Sequence, residues 1–289
     1  MNLRLIVIFD ILVGKIYVKN SRRGSFLPFL LILFVNTPLF AQMNFSGKPG
    51  LLNIPTAIET KSGSLIAGYA YNPVKYSFRR NGIQSESIYY VNLTILSRLD
   101  LNLNLMRMNG ETRFQDKGIG DRQLDLKYLI LKEKKYQPSL ALYLSMPFAI
   151  DNSFTTNALV ATKTFKLSNN FFAEVTGGYG SPVYIKRGDS EKENSNIFSN
   201  LKIQNKNTDK RYKYLSGPIG GLNLRYQNKG GVMLEWDSRH FNIGAYGKLF
   251  KKWTIQAGVI NFDQVTFGTS YALNLKALPK RLKKANENK

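Results

Sequence analysis

Leu99-Asp100-Leu101-Asn102-Leu103-Asn104-Leu105 alternates without a break, with leucine at every odd position and Asp or Asn at every even one. Successive side chains of an extended strand point to opposite faces, so this segment has one aliphatic and one polar surface. Two architectures use such a strand. A soluble sandwich turns the aliphatic face to a protein core, whereas a transmembrane barrel turns it to lipid and lines its lumen with the polar face.

Working outward, the same period recurs along the chain. It predicts strands over 64–78, 83–96, 99–105, 121–131, 138–146, 157–165, 171–179, 219–226, 231–236, 241–249, 253–261 and 264–275, with no helix. Pro73 suggests a bulge or an early edge, and Arg80-Asn81-Gly82 is a turn signal. Strand 157–165 leaves open whether Ala158, Val160, Thr162 and Thr164 or Leu159, Ala161 and Lys163 face inward. The connections after even-numbered strands are short (97–98, 132–137, 166–170, 227–230, 250–252), and the long ones (109–120, 147–156, 180–216) follow odd strands. A barrel whose N-terminus lies in the periplasm has this parity; a sandwich has no reason for it. Phe165, Phe171, Phe172, Phe250 and Trp253 flank the short turns, as a girdle at one lipid–water boundary would. The expected fold class is therefore all-β: an antiparallel transmembrane β-barrel of roughly twelve strands, with short periplasmic turns and longer extracellular loops. It spans residues 42–275, with a long polar loop at 181–216 and a basic tail at 276–289.

Bulk composition removes several classes. At 43% hydrophobic residues and a mean hydropathy of -0.24 the 289-residue chain is no helical membrane protein, while a barrel needs only alternate residues to be apolar. The absence of cysteine excludes disulfides, thiolate zinc sites, cysteine nucleophiles and a lipidated cysteine. Arg22 and Arg23, the apolar run 26–35 and Leu39-Phe40-Ala41 have the layout of a signal peptide over 1–41 with cleavage before Gln42. Export demotes nucleic acid as the reason for a net charge of +22 and a pI near 10.0. A basic exported surface suits outer-membrane lipid, lipopolysaccharide phosphates or an anionic exopolysaccharide.

Candidate chemistry is sparse. His240, the one histidine, lies two residues from Ser238; a Ser/His pair can serve acyl transfer, but at this strand–loop boundary no catalytic residue is assigned. One His without Cys makes no zinc site, and neither metal nor cofactor is expected. The charges on the polar strand faces matter more. Asp121, Asp125, Lys127, Glu174, Arg225, Glu235 and Asp237, together with Lys163, are the lumen-facing candidates, because a charge turned to lipid costs about 2–4 kcal/mol. They read either as a polar channel interior that passes or grips a hydrophilic chain, or as ion pairs that plug a narrow barrel. In the last strand, Gly268, Tyr271 and Leu273 stand in an order that resembles the signal by which outer-membrane assembly machinery recognises a closing strand.

Together, Gly50-Leu51-Leu52-Asn53-Ile54-Pro55-Thr56-Ala57 and Gly118-Ile119-Gly120-Asp121-Arg122-Gln123-Leu124-Asp125-Leu126-Lys127-Tyr128 resemble the YjbH-type family of exopolysaccharide-associated outer-membrane proteins. Pro138-Ser139-Leu140-Ala141, Ala161-Thr162-Lys163-Thr164-Phe165 and Gly177-Gly178-Tyr179-Gly180 extend the likeness over most of 47–275. The resemblance implies an outer-membrane barrel that assists exopolysaccharide production or export without enzymatic chemistry. It marks Asp121, Asp125, Lys127 and Lys163 as family-motif positions. Three other readings remain: a general small-solute pore, a lipid A-modifying barrel enzyme working through Ser238 and His240, and a secreted β-sandwich binding module.

Overall fold

The computed structural model describes residues 42–78, 84–110, 121–147, 154–187, 201–206 and 214–275. The expected leader (1–41), the 80–82 turn, the Gly118–Gly120 motif and the basic tail (276–289) lie outside the described residues. The strands are β1 (Ser64–Asn72), β2 (Glu86–Leu96), β3 (Leu99–Met108), β4 (Asp121–Leu131), β5 (Ser139–Ser145), β6 (Ala158–Lys166) and β7 (Phe171–Gly180), then β8 (Val183–Arg187) and β9 (Leu201–Asn205). β10 (Gly217–Tyr226), β11 (Gly230–Trp236), β12 (Phe241–Leu249), β13 (Trp253–Ile260) and β14 (Gln264–Asn274) complete them. All but β8 and β9 form one closed antiparallel barrel of twelve strands, each next to its sequence neighbour, with β7 joined to β10 and β1 to β14.

Closure is in register. Ala67 pairs with Tyr271, Leu65 with Leu273 and Ala70 with Gly268. Of the three closing-strand candidates, Gly268 therefore faces inward, while Tyr271 and Leu273 join the outer wall. Ser64 and Asn274 lie at the same end of the barrel, here termed the entry end. The connections at the entry end are all short; those at the opposite, far end include the long ones, together with the short turns 237–240 and 261–263.

The leucine strand behaves as its alternation dictates. Leu103 is 51% exposed, whereas Asn102 and Asn104, its neighbours, are 3% and 1% exposed. Tyr89, Val91, Leu144, Leu159, Val175, Leu224, Leu234, Ile243, Ile255 and Phe267 continue this apolar exterior around the barrel. The sandwich alternative fails at this point: the sheet closes on itself and those side chains stay exposed. β6 is settled too, with Ala158, Val160 and Thr162 buried inside and Leu159 outside.

The structure departs from the sequence reading in four places. β1 ends at Asn72, because Pro73 supplies no N–H to a ladder, and Val74–Tyr76 follows as a 3-10 turn. The polar stretch 181–216 holds the β8–β9 hairpin, and its last part returns to the barrel, where Tyr214 and Leu215 are buried. Phe172 points inward rather than into a lipid-side girdle, with the Arg225 guanidinium 4.5 Å from its ring centroid. Lys163 does not line the lumen. It shares the outward phase of Leu159 and Phe165, and at the entry end its ammonium reaches Glu133 Oε1 at 3.2 Å and the Lys134 carbonyl. A long aliphatic stem carries its charge past the apolar wall to the polar turn.

Candidate functional site

The lumen is occupied by the chain's own residues 42–60. This segment first satisfies its own backbone. Asn44 Oδ1 accepts from the N–H groups of Ser46 (3.1 Å) and Lys48 (2.9 Å), and its Nδ2 donates to the Asn53 carbonyl at 2.8 Å. The Phe45 N–H donates to the Leu52 carbonyl (2.8 Å) and that of Leu51 to the Ile54 carbonyl (3.0 Å). Asx geometry of this kind replaces a sheet ladder where the chain must fold back on itself. The result is a compact plug with Leu51, Leu52 and Ile54 almost wholly buried.

The wall is shaped to receive it. Leu52 enters a socket floored by glycine: a Cβ on Gly244 would lie 2.8 Å from Leu52 Cδ2, and one on Gly258 would lie 2.7 Å from Leu52 Cδ1. Gly244→Ala will accordingly destabilise the barrel by about 1–3 kcal/mol, the usual cost of overpacking. In a double mutant with Leu52→Ala the two losses will not add, because the smaller side chain vacates the contested space. Denaturation midpoints of the four proteins measure this coupling.

Polar contacts fix the plug's position. One Glu235 carboxylate accepts three successive plug N–H groups, from Leu52 (3.0 Å), Asn53 (2.8 Å) and Ile54 (3.2 Å), and also Asn242 Nδ2 (2.9 Å). Across the lumen, Lys48 Nζ stands 2.7 Å from Asp125 Oδ2, both side chains being 1% exposed. Lys127 Nζ pairs with Asp100 at 3.0 Å and donates to the Ile58 carbonyl at 2.6 Å, while Thr60 Oγ1 donates to the same Asp100. Tyr143 and Tyr214 donate their hydroxyls to the Thr56 and Asn53 carbonyls at 2.7 and 3.0 Å, and Ala57 N–H donates to Thr162 Oγ1. A buried charge needs such partners, since desolvation costs it several kcal/mol.

Seven of the eight lumen candidates thus point inward, and most of them serve the plug. Asp125, Lys127 and Glu235 hold it directly, and Asp237 Oδ2 accepts from Asn53 Nδ2 at 3.3 Å. Glu174 and Arg225 pair at 2.9 Å toward the entry end, and Asp121 is buried at the far end of β4. Beneath the plug a cleft edged by Gln42, Thr60, Arg225 and Lys248 has a volume of about 30 Å³, on the scale of one water molecule. The far side is covered by Phe78, Phe154 and Tyr214, with ring centroids 4.4 to 5.2 Å apart. Sequence reading missed Lys48, Asp100, Tyr143 and Tyr214, and missed the plug itself.

Ser238 and His240 have other occupations. Ser238 Oγ accepts from the Ser216 N–H at 3.2 Å, and the His240 ring packs edge-on against Tyr76 at 5.1 Å. His240 Nδ1 lies 3.6 Å from Asp237, whose Oδ1 also accepts the His240 N–H at 2.8 Å.

At the end of the β8–β9 hairpin, Lys206 Nζ donates to the Tyr214 and Leu215 carbonyls at 3.2 and 3.4 Å. Burial, with Lys48 nearby, pushes the Lys206 ammonium down to about 7 from 10.5. Between those values the unfolded chain keeps a proton that the folded protein has released, so stability rises as pH increases through this window. The thermal midpoint of the wild type will climb from pH 7 to 10, and Lys206→Met will remove that part of the rise.

These features define a class: a β-barrel closed by an internal plug. The chain belongs to the YjbH family, whose model, described as "Exopolysaccharide biosynthesis protein YbjH", matches residues 42–289. Curated proteins include no significant match. Among solved structures, one likeness is to the crystal structure of an outer membrane channel from Pseudomonas putida F1, at 13% identity and a TM-score of 0.31, covering 74% of this chain and 97% of that one.

Proposed function

We propose that this protein resides in the outer membrane of a Gram-negative-type bacterium and assists exopolysaccharide production or export without enzymatic chemistry of its own. The observation that carries the reading is the polar-walled lumen sealed by residues 42–60, found in a member of an exopolysaccharide biosynthesis family. Membrane residence is supported by the uncovered apolar exterior, which only hydrocarbon solvates without penalty. In that setting the entry end faces the periplasm and the long connections face outward. A small-solute pore that stands permanently open fits poorly with a filled lumen. A component that anchors, positions or is opened by an export apparatus fits well. Its expected contacts are outer-membrane lipid, lipopolysaccharide, the barrel-assembly machinery and an anionic polysaccharide.

The test is removal of the gene from a producing strain. Surface polysaccharide should fall while growth and lipopolysaccharide stay unchanged, and the wild-type protein, recovered in the outer-membrane fraction with heat-modifiable gel migration, should restore it. Unaltered surface polysaccharide would reject the reading. In planar bilayers the purified wild type should be electrically silent.

A further inference from the structure

We infer that the outer wall carries a binding site for one anionic phospholipid, at the entry end between β7 and β12. The inference rests on the membrane residence proposed above. Around most of the barrel the outward positions hold large side chains, but here the wall is hollow. In one outward row near the entry end, Phe171 pairs with Tyr226, Tyr226 with Gly230, Gly230 with Gly247 and Gly247 with Ile255, while Leu249 and Trp253 form the next outward pair toward that end. Two successive strands thus present no side chain, between an aromatic flank on one side and Ile255 on the other. One row deeper, Val232 pairs with Ala245 and Ala245 with Ala257, so the hollow continues toward the middle of the wall. It forms a groove of about 740 Å³ whose lining is almost entirely apolar, with Leu167, Phe171 and Tyr226 along one edge and Gly230, Val232 and Ala245 as its floor.

Cations crown the groove. Lys229, exposed in the β10–β11 turn, sets its ammonium 5.6 Å from the centroid of the Tyr226 ring that forms the groove's edge. Lys251, also exposed, stands on the neighbouring β12–β13 turn, and neither of the two turns contains an Asp or Glu. An apolar groove running down from a basic cap matches a lipid with a fatty chain and a negatively charged phosphate head. A zwitterionic headgroup would gain less, since its own ammonium would meet Lys229. The occupant is therefore an anionic phospholipid of the leaflet at the entry end, its phosphate at Lys229 and an acyl chain on the glycine–alanine floor.

Full-length protein, purified in detergent and examined by native mass spectrometry, tests this with phosphatidylglycerol and phosphatidylethanolamine of identical chains. The wild type should retain one phosphatidylglycerol with a preference of roughly fivefold, the factor given by one basic side chain at a membrane surface. Lys229→Gln should abolish the preference while leaving weak retention of both lipids. Gly247→Phe should block retention of either lipid, and a Cβ at Gly247 meets nothing within 4 Å, so the barrel tolerates the change. Gly177→Phe, on the outer face of β7 with equally open space, should leave retention at the wild-type level. Equal retention of the two lipids by the wild type, or retention undiminished in Gly247→Phe, would overturn the assignment. So would a dimer that is lost in Gly247→Phe without any bound lipid, which would make a second copy the occupant. A chain that stays dissolved without detergent would instead sink the membrane reading on which the site depends.

Discussion

Glu235→Ala will release the plug from the wall of β11 and cost on the order of 4–6 kcal/mol. The figure follows from what the carboxylate does. It accepts three consecutive backbone N–H groups and one side-chain amide inside the lumen. A hydrogen bond to a charged group contributes about 1.5–3 kcal/mol, and each buried donor left without a partner costs about 1–3 kcal/mol. The sum is held below simple addition because water can enter the space that the side chain vacates. Glu235→Gln separates charge from shape: one amide oxygen still accepts, so the loss should be roughly half. Two measurements check this. The temperature at which the folded band disappears in heat-modifiability gels should fall for both variants, further for alanine. In planar bilayers Glu235→Ala should show intermittent conductance where the wild type is silent. A variant with wild-type melting and a silent trace would show that the three N–H groups find other partners and that Glu235 does not retain the plug.

The second large effect concerns the opposite wall. Lys48→Met leaves Asp125 as a charge 1% exposed beside an apolar side chain, and Asp125→Leu does the same to Lys48. Removing one member of a buried pair costs about 3–5 kcal/mol, because the survivor remains desolvated without its counter-ion. Replacing both removes both charges, and the double mutant should recover most of what either single change loses, to within about 1–2 kcal/mol of wild type. Full recovery is not expected. Asp125 also accepts from Asn102, Asn104 and Ser145, and Lys48 donates to Ser46, so their partners lose contacts as well. Strict additivity in denaturation experiments would mean that the pair contributes no coupling and that the plug is placed by packing alone.

The wall of this barrel was legible in the sequence because lipid and lumen impose opposite demands on alternate residues. Leu99–Leu105 reads correctly at each position, and so do the polar faces bearing Asp125, Lys127, Glu174 and Glu235. Where the period was weak, physics outside the strand decided. Lys163 lies in the lipid-facing phase and is tolerated there because Glu133, in the turn beyond, accepts its charge. Phe172 groups with its aromatic neighbours by position in the chain, but its parity with Glu174 puts it inside. The plug was not legible as such. Gly50–Ala57 stood out through family resemblance, but no local rule says that a Gly- and Pro-bounded apolar run will fold into a lumen rather than precede it. A signal was nevertheless present. Ile88, Met106, Leu129, Val160 and Met233 are apolar residues on the inward phase, which a water-filled channel would not require. Their presence asks for an apolar guest, and Leu51, Leu52 and Ile54 meet that demand.

The plug lies upstream of β1, yet its anchors are spread over β3, β4, β5, β6 and β11. Curling the hairpins around it as around a mandrel, with the seam between first and last strands shut last, is the order of assembly in which every one of these anchors meets the filling while the wall is still open. A chain that mislays this filling would reach the seam with a loose, oversized hoop, and the defect would show as stalled insertion long before any secretion phenotype could be scored.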